Sequence, residues 1–150
     1  MNFSPIEIAY IKDAFNVGGY VLDFNDATFA AFNMKSVNID IQKKYGGSKC
    51  VSLMKFFEDS SIDMRIRVKL LTDLIDRYKS YIYIHKDDIN RNPNFQNQES
   101  RAKAIEKCKK IVAKYSSFLS PIDTQQLSED GLREIIESAN RYYVSDIQTA

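Results

Sequence analysis

Gly18-Gly19-Tyr20-Val21-Leu22-Asp23-Phe24-Asn25 is the stretch on which the reading of this chain turns. The two glycines free the backbone to stop whatever precedes them, and Gly18 suits the left-handed position that ends a helix. Tyr20 to Phe24 has strand-like character. With no second strand in sight, it reads as an extended segment pressed on the core. Asn25 or Asp26 then caps a helix running to about Met34, with Phe29 and Phe32 three apart on one side.

Upstream, Ser4-Pro5 is a helix start, with serine as N-cap and proline at the first helical position. That helix runs to Phe15 and turns Ile8, Ile11, Ala14 and Phe15 to one face. Downstream, Val37 to Ile41 is a second extended piece. Gly46-Gly47-Ser48 leads into a helix from about Lys49 to Phe57, capped by Ser48. A longer helix, roughly Ile62 to Ile84, carries a wide apolar stripe and is expected to be central. His85 to Gln98 reads as a break.

The tail begins with an amphipathic helix, Glu99 to Leu119, whose apolar residues Ala104, Ile105, Cys108, Ile111 and Tyr115 keep helical spacing. Ser120-Pro121 ends it, and Ser128 caps a last helix to about Tyr143. The expected architecture is all-α: one domain over 1–150, a helical bundle of about six helices with two short extended segments. Five glycines and three prolines in 150 residues argue against a many-turned β fold.

Composition narrows function by exclusion. A formal net charge of +1 gives no global pull toward nucleic acid or anionic membrane. No apolar run has the roughly 18 residues of a membrane span, and Met1 to Pro5 lacks a signal-peptide head, so the expectation is a cytoplasmic protein away from membranes. The two cysteines, Cys50 and Cys108, sit at apolar helix positions and read as buried thiols. One histidine, His85, cannot build a multi-histidine metal site, and no cofactor fingerprint is recognisable. A histidine at a helix end is favoured by the helix dipole.

Three surfaces invite chemistry. Gly46-Gly47-Ser48-Lys49 reads either as an anion nest or as a plain turn and cap, the commoner meaning of such a run. Arg101, Lys103, Lys107, Lys109, Lys110 and Lys114 lie on the polar positions of the tail helix. Of these, Arg101, Lys103, Lys107, Lys110 and Lys114 form a candidate nucleic-acid-binding face, with a solvated charged face as the alternative. Arg77 and His85 are the third. Eight residues apart, they stand about 80° apart around a helix and about 12 Å along it, a poor fit to one catalytic site. Tyr142-Tyr143 is a possible exposed aromatic pair.

Taken in order, Gly18-Gly19-Tyr20-Val21-Leu22-Asp23-Phe24-Asn25, Thr28-Phe29, Phe32, Ile39-Asp40-Ile41, Tyr45, Gly47-Ser48-Lys49, Leu53 and Phe56 resemble the N-terminal domain of AbiJ-type abortive-infection proteins of bacteria. The resemblance covers roughly residues 5–85 and brings no catalytic residues with it. It implies a role in phage defence as a sensor, adaptor or regulatory module. In such proteins the toxic effector would be a C-terminal helical domain resembling the HEPN class of ribonucleases, and this chain ends about where that domain would begin. The resemblance therefore implies a protein partner or effector domain. An RNase-type toxin built on Arg77 and His85 is a further alternative. The matching residues Gly18, Gly19, Tyr20, Asp23, Phe24, Asn25, Phe29, Gly47, Ser48 and Lys49 read first as fold-forming. No cofactor or metal ligand is expected among them.

Overall fold

Helix α1, Pro5–Phe15, begins in a reciprocal capping box: Ser4 Oγ accepts the Glu7 N–H, and the Glu7 carboxylate accepts the Ser4 N–H at 2.8 Å. These contacts belong to a computed structural model that describes residues 1–118. Ile11, Ala14 and Phe15 are buried as expected, while Ile8 is only partly covered.

The chain leaves α1 at Asn16, and here the expectation needs correcting. Tyr20 does not begin an unpaired extended segment. Strand β1, Asn16–Val17, pairs antiparallel with β2, Tyr20–Val21. Gly18 and Gly19 form the two-residue turn between them, at φ +58° and +93°. Two successive positive φ values suit the twist of a tight hairpin, and glycine meets them without a Cβ penalty. Asn16 Oδ1 closes the turn by accepting the Gly19 N–H at 2.8 Å. Val21, Leu22 and Phe24 then go into the core.

Helix α2, Asp26–Val37, is capped by Asn25, which exchanges hydrogen bonds with Thr28. It runs three residues beyond the expected Met34, which is exposed. Asn38 ends it in the left-handed conformation, and Asp40 at once caps α3, Ile41–Tyr45. The second extended piece is therefore absent. Val37 ends α2, Ile41 begins α3 and Ile39 lies in the link between them, because Asn38 and Asp40 supply the turn chemistry that composition alone conceals.

Helix α4, Lys49–Glu58, is capped by Ser48. Helix α5, Met64–Ile84, buries Ile66, Leu70, Leu71 and Leu74 and packs on α2 and on α7, Gln98–Ser116, so it is central. The expected break at 85–98 holds a short helix α6, Lys86–Arg91, and a 3-10 turn, Phe95–Asn97. Helix α7 packs on α1 as well as α5. The fold is predominantly helical: among the described residues there are seven α-helices and one two-stranded hairpin. The expected helix at 128–143, with Tyr142 and Tyr143, lies outside the described residues.

Both cysteines are buried free thiols, and burial pushes Cys108 up to about 12. Two arginines are also buried, each only 1% exposed. Arg67 donates to the carbonyls of Met1 (2.8 Å) and Phe57 (3.1 Å). Arg101 donates to those of Ala14 (3.0 Å), Asn16 (3.2 Å) and Gln96 (2.7 Å). Each guanidinium thus pins chain segments that no regular element joins.

Glu7 lies where α1 meets α7. Burial pushes its carboxyl up, but hydrogen bonds from Lys114 Nζ, Tyr115 O–H and Ser4 N–H outweigh that and hold it below its ordinary 4.5. A carboxyl depressed by folding adds stability above its unfolded pKa and loses it as pH falls through the folded one. The stability gap between wild type and Glu7→Gln is expected to be widest near neutrality and to narrow below about pH 4.5. Urea unfolding at a series of pH values checks this.

Candidate functional site

The two glycine-bearing segments, some thirty residues apart in sequence, meet in space. The Gly19 carbonyl accepts the Cys50 N–H at 3.1 Å, so the hairpin tip closes the first turn of α4. The Lys49 side chain is buried. Its ammonium pairs with Asp26 and stands 4.9 Å from the centroid of the Tyr20 ring. Gly19, Tyr20, Asp26, Lys49 and Cys50 therefore meet in one junction, with Gly18 in the hairpin turn and Ser48 at the cap beside it. Phe24 and Phe29 are buried in the core with rings 5.7 Å apart, and Asn25 caps α2.

At the start of α4 the Val51 N–H is taken by Ser48 Oγ and the Cys50 N–H by the Gly19 carbonyl. Lys49 faces Asp26. Ser48 therefore caps the helix and two of its first amides are occupied from within, which favours the turn and cap over the anion nest. The junction presents Tyr20, 57% exposed, and Val51, 47% exposed, to solvent beside the exposed carboxylate of Asp26.

Asp23 projects away from the hairpin to α5. One carboxylate oxygen accepts from Arg77 Nη2 at 2.9 Å, and the other lies 3.5 Å from His85 Nε2. The eight-residue offset on the helix thus does not keep Arg77 and His85 apart, because a third residue bridges them. The histidine ring is held between Tyr81 (centroids 4.7 Å) and Phe95 (5.6 Å), with Nδ1 3.5 Å from Asp88. Both ring nitrogens face carboxylates. Nε2 is buried and makes no hydrogen bond among the described residues. The cluster fastens the loop after the hairpin to the end of α5, and Arg77 also stacks over Phe24 at 4.9 Å.

The basic residues of α7 divide between two sides. Lys103, Lys107, Lys110 and Lys114 are exposed and fall within about 60° of arc. Arg101 stands about 160° from Lys103 and points into the core, so it does not belong to that face. Lys109 is on a third side and pairs with Glu106 at 2.9 Å. The angular arithmetic is available from sequence, and counting charges without it merged the sides.

Among the described residues, no three His, Cys, Asp or Glu side chains gather as metal ligands, and no helix is long and apolar enough to cross a membrane. No protein-family model matches the chain, and no curated protein or solved structure matches it.

Proposed function

We propose that this chain is a non-catalytic recognition or regulatory module of bacterial phage defence, of the kind that forms the N-terminal domain of AbiJ-type abortive-infection proteins. The resemblance of the glycine-bearing segments supplies the biological context. The observation that carries the reading is the state of the motif's polar groups. Asn25 and Ser48 cap helices, Lys49 is closed on Asp26, and Asp23 is closed on Arg77 and His85. None of them is left directed at a reacting atom. Around them Tyr20 and Val51 are exposed beside the Asp26 carboxylate, a mixed apolar and polar surface of the kind that contacts another protein. The partner is an effector, carried on the same polypeptide or on another.

Phage challenge tests the proposal. The 150-residue chain alone is expected to give no protection and no growth arrest. The chain expressed with any downstream coding sequence is expected to protect. Growth arrest by the short chain alone would sink the module reading and make Arg77 and His85 the first residues to substitute.

A further inference from the structure

We propose that the groove between α1 and α7 holds the phosphate backbone of a single-stranded nucleic acid. The groove has a volume of about 280 Å³ and is lined by Ser4, Ile6, Tyr10, Lys107, Lys110 and Lys114, among others. Lys103 extends the same stripe by one turn, so four ammonium groups run about 16 Å along the helix, at steps of about 6, 4.5 and 6 Å. Lys103, Lys107 and Lys110 have no carboxylate partner among the described residues, whereas Lys114 is held by Glu7. The Glu7 carboxylate would repel an anion here if it were bare. It is instead covered by Lys114, Tyr115 and the Ser4 amide.

The arrangement selects the ligand class. The lysines form a line and do not converge, so a lone phosphate would engage one or two of them and an extended polyanion all three free ones. The near-zero net charge does not weaken this, because fields at physiological salt act over about 8 Å. The part-buried Tyr10 ring stands beside the charges as an aromatic does in base-stacking grooves, with the exposed aliphatic Ile6 next to it, and this favours a nucleic-acid strand over an acidic peptide. Lys107 stands 5.7 Å from the Tyr10 ring centroid, so cation and aromatic are already adjacent. A lipid surface is disfavoured, because the apolar side of α7 (Ile105, Cys108, Ile111) is buried in the core and cannot enter a bilayer interface.

Fluorescence anisotropy of a labelled 20-nucleotide oligo-uridine strand, titrated with the full chain, tests this. Three phosphate contacts at about −0.7 each predict a salt slope near −2, so raising salt from 50 to 200 mM weakens binding about 20-fold. Lys107→Gln with Lys110→Gln is expected to cut affinity at 50 mM at least tenfold and the salt effect to about threefold. Lys109→Gln, on another side and paired with Glu106, is expected to bind as wild type. All three lysines are exposed, and thermal melts verify that the variants fold. The proposal is overturned by no binding, by wild-type binding in the double variant, or by tighter binding to a duplex of the same length. Equal displacement of the strand by polyglutamate of matched charge would also overturn it.

Discussion

Replacing Arg101 with leucine is expected to lower the free energy of unfolding by about 3–5 kcal/mol. The guanidinium is 1% exposed and bonds to four carbonyls, those of Asp13, Ala14, Asn16 and Gln96, the Asp13 contact being the longest at 3.5 Å. Leucine fills part of the space but offers no donor, so acceptors that water cannot easily reach lose their partner. Each unpaired group costs about 1–3 kcal/mol. The melting temperature should fall by roughly 10 °C or more. Arg101→Lys should recover less than half of the loss, since one ammonium cannot reproduce the planar fork that spans both ends of the site. Lys103→Leu, two residues along and on the solvent side, should change stability by no more than about 0.5 kcal/mol. Urea unfolding of the three variants separates these outcomes. Equal effects at 101 and 103 would show that the clamp is not what holds α7 to the end of α1.

Phe29→Ala is expected to cost about 3–5 kcal/mol, because its ring is fully buried in the core and packs against Phe24. Tyr20→Ala, in the same motif, should cost within about 1 kcal/mol: Tyr20 is 57% exposed, so little apolar area is lost beyond its cation–π contact with Lys49. The contrast bears on function. If the junction is a recognition surface, Tyr20→Ala abolishes phage protection in the longer product while melting near the wild-type temperature. Phe29→Ala abolishes protection together with the fold. Full protection with Tyr20→Ala would move the recognition surface elsewhere.

The helix starts at Ser4, Asn25 and Ser48 were legible because capping is local: a side chain meets an amide two or three residues away. The hairpin was harder to read. Its strands are two residues each, too short to show an alternating pattern, although Gly-Gly between Val17 and Tyr20 is a turn signal in its own right. Asn38 and Asp40 hid two helix ends inside a run that looked extended. At the candidate site, the contribution of Lys49 was visible only as a residue type, since its acceptor Asp26 lies 23 residues back. Asp23 and Arg77 are 54 residues apart, and no periodicity announces such a bridge. Arg101 was counted with the lysines because its charge was read before its angle.

The two buried arginines also set a schedule for synthesis. Arg67 bonds to the carbonyl of a residue 66 positions earlier, and Arg101 to one 87 positions earlier. A nascent chain leaves the ribosome from its N-terminus, so the carbonyls of Met1 and Ala14 must stay in water until those guanidinium groups emerge. Helix α1 and its hairpin can take shape early as local structure, but their final docking waits for α7. Until α7 has emerged, the apolar side of α1 therefore has no cover from it. That interval is when a chaperone would bind it.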